Sequence, residues 1–435
     1  MAEDKTFIRP PISTFRQILL SFFWFSTNMM WAATLLITMP YQVKAAVGNS
    51  TKGTDLGIVL AIGALISLIA APVFGGLSDR IKLPGGRRKL WVVIGTAGNV
   101  IGLVGMAYLI QPGHPESVFL WTVTFLVVQL FNNIATGPYT ALIPDLVPTE
   151  QRGSASGWMG LMTLLGNFAG GVMGFLIAPL GIANIYFIMI GVLIVGALVT
   201  WFGVNEIDIP HEIPPFKLGE FMRGLIEPFR YSDFTWVLMT RLLVMMGISI
   251  VQEFIQYYMG DVVKDFTLFG TKVADTAEAA VSFFIPALLI GAVITTLIAG
   301  VLSDKYGRKR MVYLAGALMG IVCFVFLFSH SFTLAVLMGI VFGLGYGAYT
   351  SVDWALVSDV LPSVDDYAKD MGIWHVADVL PQIVAGSIAG VLLDNFQRIG
   401  AANNMPNLGY TVIFLMAFVF FVLGTVFVAR IKGVR

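Results

Sequence analysis

Twelve times between residues 17 and 430 the chain runs for about 20 residues or more almost without charge, the length an α-helix needs to cross the hydrocarbon core of a bilayer. The runs fall near residues 17 to 43, 55 to 79, 89 to 111, 117 to 143, 153 to 178, 182 to 204, 234 to 260, 279 to 303, 310 to 330, 332 to 358, 369 to 393 and 409 to 430. No water reaches the backbone at that depth, so each N–H and C=O must be satisfied inside its own segment, and a helix does this. Composition agrees: 57% of the residues are hydrophobic and 12% are charged, where a soluble domain carries roughly 25% charge. The expected fold is all-α and integral to the membrane. The polar start, Met1 to Arg16, leads into a run too long for a cleaved signal peptide and without a small-residue cleavage site, so this helix is expected to stay as an anchor.

The chain is also doubled. Gly75-Gly76-Leu77-Ser78-Asp79-Arg80, closed by Gly86-Arg87-Arg88-Lys89, returns as Gly300-Val301-Leu302-Ser303-Asp304-Lys305, closed by Gly307-Arg308-Lys309-Arg310. A second pair follows in the same order: Ala141-Leu142-Ile143-Pro144-Asp145-Leu146-Val147-Pro148 matches Ala355-Leu356-Val357-Ser358-Asp359-Val360-Leu361-Pro362. Repeats of this kind mark two structurally equivalent membrane halves. The expected architecture is twelve transmembrane helices in two pseudo-symmetric six-helix bundles, residues 1–204 and 234–435, joined by a polar segment over 205–233. That segment holds Pro210, Pro214, Pro215 and Pro228. Phe216, Phe221 and Leu225 are spaced to form one apolar side of a short interfacial helix, with a disordered linker as the alternative.

With the N-terminus inside, the cytoplasmic segments hold twenty of the 26 Lys and Arg residues, the outer loops hold Lys44, Lys52, Lys264, Lys272 and Arg398, and Arg241 lies within a span. That asymmetry places both termini in the cytoplasm of a multi-pass protein of the cell membrane. The 26 basic and 26 acidic residues balance, so no global field favours nucleic acid. One cysteine, Cys323, excludes an internal disulfide and a multi-cysteine metal site. The sequence has no P-loop, no H-E-x-x-H and no G-x-S-x-G, so neither ATP-driven pumping nor an enzyme reading has support, and no cofactor is expected. Asn49-Ser50-Thr51 is a glycosylation sequon in an outer loop.

In the repeated loops Asp79 and Asp304 stand at helix ends, where a carboxylate accepts from the first N–H groups of a neighbouring helix. The basic residues beside them, Arg80, Arg87, Arg88 and Arg308, are placed to pair with Asp145 and Asp359, and such contacts would latch the bundles in one conformation. The simpler alternative is a basic cluster that only fixes topology.

Polar residues inside the spans follow helical spacing. Gln129, Asn132, Asn133 and Thr136 share a face of the fourth helix, Ser249, Gln252, Glu253 and Gln256 a face of the seventh, and Tyr346, Tyr349, Thr350 and Asp353 a face of the tenth. Such stripes turn away from lipid, either as hydrogen-bonding glue between helices or as the wall of an aqueous path. Three stripes at the same interval favour the path, to which Asn28 and Trp31 of the first helix would add an aromatic face suited to a sugar ring. The substrate-binding candidates are therefore Asn28, Trp31, Gln129, Asn132, Asn133, Gln252, Gln256 and Tyr349. Charges at depth are few: Glu253, Asp353, Asp378 and Arg241, with His375 three residues before Asp378. An ionised carboxylate there costs several kcal/mol unless paired or wetted. Asp353 and His375 each lie six residues from a cytoplasmic helix end, roughly 9 Å, so an Asp353, His375 and Asp378 cluster is a proton-path candidate, with a static brace as the alternative. Glu253 suits proton loading from the outer half of its helix, and Arg241 is expected to snorkel. Gly166, Gly170 and Gly174, and Gly386 with Gly390, form small-residue faces that let helices approach closely.

The doubled G-x-L-S-D-[RK] loops resemble those of the major facilitator superfamily over nearly the whole chain. Further segments are similar to its glycoside and sucrose transporter branch: Trp31-Ala32, Pro40-Tyr41, Pro72 with Gly75 and Ser78-Asp79-Arg80, Asn132-Asn133 leading to Gly137-Pro138, Ala141-Leu142, Asp145-Leu146, Gly166-Asn167, and Leu380-Pro381-Gln382. The resemblance implies symport of a sugar or glycoside with a proton; alternating access by a chain acting as a monomer in the lipid bilayer is expected. Plant sucrose carriers place an acid three positions before the Asn-Asn pair, and here that position is Gln129, so no fourth-helix carboxylate can carry the proton. The competing readings are a uniporter, an exporter of amphipathic drugs or lipids, and, from another class, a membrane sensor that keeps the fold.

Overall fold

The computed structural model describes residues 11–80, 88–140, 142–148, 151–206, 231–360 and 367–432. Among the described residues eleven helices are long and apolar enough to cross a membrane, and the bent pair Gly157–Gly171 with Gly174–Leu180, taken as one broken span, makes twelve. The first bundle contains α1 (Thr14–Val47), α2 (Lys52–Arg80), α3 (Lys89–Tyr108), α4 (Ser117–Thr140), α5 (Arg152–Gly171 continued by Gly174–Leu180) and α6 (Ile182–Gly203). The second contains α7 (Ser232–Val263), α8 (Ala277–Tyr306), α9 (Arg308–Phe326), α10 (Phe332–Val360), α11 (Tyr367–Ala402) and α12 (Leu408–Arg430). The connection proposed as linker or interfacial helix falls largely on residues 207–230, outside the described residues.

Local chemistry sets the helix ends and the departures from regularity. The Ser13 hydroxyl caps α1 by accepting from Arg16 N at 3.4 Å, and the Thr276 hydroxyl caps α8 by accepting from Ala279 N at 3.3 Å, each satisfying an orphan N–H. The repeated G-R-K-R segment opens on Gly307 because the chain turns from α8 into α9 there at φ +97°, a conformation that a side chain resists. In α1 the ladder widens to a π-helical stretch, Thr34–Thr38, just before Pro40, which has no N–H and crowds the carbonyl four residues back. A second π-helical stretch, Met259–Val263, ends α7. Between its two pieces α5 bends by 42° among Gly170, Gly171 and Gly174.

That bend divides the small-residue face of α5. Gly166 and Gly170 lie against the α1 backbone at Phe25 and Met29, whereas Gly174 lies against the α8 carbonyl of Glu278. On α11, Gly386 and Gly390 meet Gly57 and Gly53 of α2 so closely that a Cβ on Gly53, Gly57 or Gly390 would meet the facing backbone at 2.9 Å or less, while one on Gly386 would meet the Glu253 carboxyl of α7. Two cross-bundle seams result, α2 on α11 and α5 on α8. Both lie toward the end that carries Gly48 and Gly181, opposite the repeated loops.

At the repeated-loop end Arg88 is buried and donates from Nε to Asp145 Oδ2 at 3.0 Å and from Nη1 to the Ser78 hydroxyl. All three residues belong to the first bundle. These contacts tie together the ends of α2, α3 and the short helix Leu142–Leu146. The Glu206 carboxylate, just past α6, accepts from Arg88 N at 2.9 Å and Lys89 N at 2.5 Å and caps α3, where its charge opposes the helix dipole favourably. The side chains of Asp79, Arg80, Asp304 and Asp359, and all of Arg87, lie outside the described residues. Arg308 is described at the start of α9.

Candidate functional site

Where the seams diverge, a cavity of about 230 Å³ lies between the bundles. Trp31, Ala32, Leu35 and Leu36 of α1, Leu60 of α2 and Asn167 of α5 line it from the first bundle. From the second come Ser249, Gln252, Glu253 and Ile255 of α7, Phe284, Ile285, Leu288 and Leu289 of α8, Tyr346 of α10 and Gln382 of α11. The wall contributed by α1 spans its π-helical stretch, whose widened turn carries Leu35 and Leu36 to the cavity. Trp31 is held edge-on to Phe125 of α4 with centroids 6.3 Å apart, which fixes the indole while leaving part of it facing the opening. An aromatic plate, three amides, one carboxyl and the hydroxyl-bearing Ser249 and Tyr346 in a largely apolar shell can grip a polyhydroxylated or amphipathic solute.

Glu253 is the chemically distinctive member. Its residue is 8% exposed, and Oε2 has no hydrogen-bond partner among the described residues. The carboxyl rests on the bare Cα of Gly386, so the α7 acid touches α11 at the glycine that also meets Gly57 of α2. A buried carboxyl without a hydrogen-bond partner is costly to ionise, and a proton or a ligand removes that cost.

The expected stripes part company here. Of the α7 stripe, Ser249, Gln252 and Glu253 face the cavity, while Gln256 turns aside and donates from Nε2 to Glu278 Oε1 of α8 at 3.0 Å. The α4 stripe does not line this cavity. Asn133 donates from Nδ2 to the Ser67 hydroxyl of α2 at 2.7 Å and to Gln129 O at 2.8 Å, Thr136 donates to Asn132 O at 2.8 Å, and Gln129 packs near Gly63 of α2. Asn132 is buried with Oδ1 unmatched among the described residues. Asn28 donates from Nδ2 to Trp24 O at 2.8 Å, a bond within its own helix, and is likewise absent from the cavity wall. On α10 the wall residue is Tyr346; Tyr349 is buried elsewhere at 1% exposure.

Arg241 does not snorkel. It is buried at 3% exposure and pairs through Nη1 with Asp353 Oδ2, so α7 and α10 are joined by an ion pair within the second bundle. Asp353 thus has a resident counter-charge. The side chains of His375 and Asp378, expected to meet it, lie outside the described residues.

Among the cavity groups not named as site residues from the sequence are Asn167, Gln382 and the α8 wall. Asn167 and Gln382 each sit in a segment carrying the family resemblance, which was their only signal. The α8 wall is plain Phe, Ile and Leu, and nothing in its pattern separates it from lipid-facing helix.

Known proteins supply context for this geometry. The sequence pattern of the family described as MFS/sugar transport protein matches residues 25–431. The multi-drug resistance efflux pump PmrA of Streptococcus pneumoniae is 22% identical over 387 residues, 84% of this chain and 88% of that protein. Sucrose transport protein SUC4 of Arabidopsis thaliana is 26% identical over 156 residues, 33% of this chain and 30% of that protein. Among solved structures, nucleoside transporter NupG superposes with a TM-score of 0.70 at 15% identity, covering 96% of this chain and 99% of that one. A bacterial homolog of the human lysosomal transporter Spinster, in an inward-facing unoccupied conformation, superposes with a TM-score of 0.69 at 13% identity, covering 95% of each chain.

Proposed function

The chain belongs to the MFS/sugar transport family, and from that premise we propose that it is a secondary carrier that moves a sugar or glycoside together with a proton by alternating access. The observation that carries this reading is the cavity built from both bundles, in which Trp31 and Asn167 face Gln252, Gln382 and one carboxyl, Glu253, whose Oε2 has no hydrogen-bond partner among the described residues. Trp31 stacks on the apolar side of a pyranose ring, and the amides exchange donors and acceptors with its hydroxyls. Glu253 takes up the proton. Its contact with Gly386 lets the protonation state bear on how α11 packs against α2, so proton and substrate sense one another through the same helices. Asp353, neutralised by Arg241, serves as a brace rather than a carrier.

The basic repeated-loop end faces the cytoplasm under this reading, with residues 1–204 and 234–435 as the rocking bundles and 205–233 as their tether in the cell membrane. The conformation described here is then closed on the outer side.

A second reading, export of an amphipathic solute, is favoured by the cavity walls of Leu35, Leu36, Leu60, Phe284, Leu288 and Leu289 and by the likeness to efflux pumps. One experiment separates the two. Purified protein is screened by thermal shift against mono- and disaccharides and against lipophilic amines, since a ligand of the native state raises apparent stability. Hits are then followed in proteoliposomes under an imposed pH gradient. Sugar stabilisation with pH-driven accumulation is expected; stabilisation by amines alone, with efflux and no sugar uptake, would overturn the symport reading in favour of export.

A further inference from the structure

At the end opposite the repeated loops, a buried polar cluster joins the bundles that the cavity separates. Asp394 of α11 is 5% exposed and reaches across to the start of α2, accepting from Gly53 N at 3.1 Å and Thr54 N at 2.6 Å. The first turn of a helix offers N–H groups with no partner of their own, and the carboxylate also opposes the positive end of the helix dipole. One residue earlier, Lys52 is 2% exposed and forms an ion pair with Asp261 in the π-helical end of α7. Asp261 is held from both sides: Lys44 of α1 lies 3.5 Å away and the Tyr410 hydroxyl of α12 donates to it at 2.6 Å. Lys52 Nζ additionally stands 4.8 Å over the Tyr257 ring. Each of these contacts links one bundle to the other except the Tyr410 bond, which lies within the second bundle and steadies Asp261. Beneath them, Gly53 faces Gly390 and Gly57 faces Gly386.

We propose that Asp394 on the α2 amides and Lys52 on Asp261 are a two-part gate which holds this end closed, with the α2–α11 glycine contact as its seal. The proposal rests on the alternating-access reading. Its energetic logic is that charge-assisted bonds between buried partners exist in one conformation only: when the bundles part, Asp394, Lys52 and Asp261 regain water, so the gate can open without stranding a charge in hydrocarbon. The glycine seal differs, because it is purely steric. A methyl on Gly53 would press on Gly390 O, Leu393 and Asp394 Oδ1 at 2.9 to 3.1 Å, so the closed state would be lost while the open one would not notice.

The test uses spin labels on the full-length protein in nanodiscs, attached at Ser50→Cys and Asn403→Cys, two exposed positions on opposite bundles at this end. Pulsed dipolar spectroscopy reads the label separation with and without a sugar identified by thermal shift. Asp394→Asn should raise the fraction of long separations about tenfold, and Gly53→Ala should do so by an independent, uncharged route. Lys52→Ala serves where Asp394→Asn fails to yield monodisperse protein. A wild type that shows short and long populations whose ratio none of the three variants shifts overturns the gate and leaves alternating access standing. A wild type and variants that all show one fixed separation, with ligand and without, overturn the alternating-access reading itself.

Discussion

The stripes on α4 and α7 have identical spacing and different fates. Gln129, Asn132, Asn133 and Thr136 sit at the same intervals as Ser249, Gln252, Glu253 and Gln256, and both sets are shielded from lipid. Yet Asn133 is tied to Ser67 on α2 of its own bundle, while Gln252 and Glu253 face the space between bundles. A polar stripe in a bilayer only demands somewhere other than lipid to point. Which place it finds depends on the neighbour: α4 lies against α2 inside one bundle, and α7 stands at the boundary of the two. Amides serve equally well as glue and as ligand groups, so the side-chain chemistry cannot separate these outcomes. A carboxyl is more discriminating, since it makes poor glue unless a cation meets it.

The largest contrast should appear at Glu253. Glu253→Gln mimics the protonated form and should abolish pH-driven accumulation in proteoliposomes while sparing exchange of labelled for unlabelled substrate. No comparable loss should follow from Gln129→Leu in the α4 stripe. Retained accumulation by Glu253→Gln would remove the functional side of the comparison.

Next in size comes the other charge of α7. Arg241 and Asp353 are both buried and face each other, so Arg241→Met or Asp353→Asn alone should destabilise by about 3–5 kcal/mol by leaving a charge unpaired, and the double variant Arg241→Met with Asp353→Leu should recover most of that. Transport by the double variant would show that Asp353 is a brace. Failure of transport in a double variant with restored thermal stability would return Asp353 to the proton path.

How far these roles could be read in advance depends on what kind of information each requires. Twelve spans, their order and the doubling are written in apolar length and in the repeated Gly-Asp-Arg segments, because bilayer thickness and the backbone's hydrogen-bond demand leave a chain few choices. The gate was hidden by small errors at helix ends. Expected spans began at 55 and ended at 260 and 393, whereas the helices begin at Lys52 and run to Val263 and Ala402, so Lys52, Asp261 and Asp394 were all assigned to loops. A membrane helix end has no hydropathy signal when the residues just beyond it are buried by a partner helix rather than wetted. Arg241 misled for a related reason: a cation near a helix end can snorkel, and only the position of α10 shows that Asp353 is there to meet it.

Paired amides give a smaller and more direct comparison. Gln252→Ala should weaken sugar binding by about 1–3 kcal/mol with little change in thermal stability, and Asn133→Ala should do the reverse, costing about 1–3 kcal/mol of stability by orphaning Ser67 while binding stays within twofold. Titration calorimetry and thermal unfolding on the same two preparations check both arms. Equal loss in both measurements for both variants would mean that the stripes do not differ in kind.

The smallest effect is expected at Asn132, where it decides whether α4 takes part in recognition at all. Its Oδ1 is buried without a hydrogen-bond partner among the described residues, and the residue is not part of the cavity wall. Removing a buried acceptor that has no partner forfeits no bond and relieves a desolvation cost, so Asn132→Leu should leave stability unchanged or raise it by up to about 1 kcal/mol. Binding should not change. If calorimetry instead shows a loss as large as that of Gln252→Ala while the variant remains fully stable, the unmatched oxygen is a ligand group, α4 belongs to the site, and the two stripes differ only in that one is already pointing at the substrate and the other awaits a rearrangement of the bundles to do so.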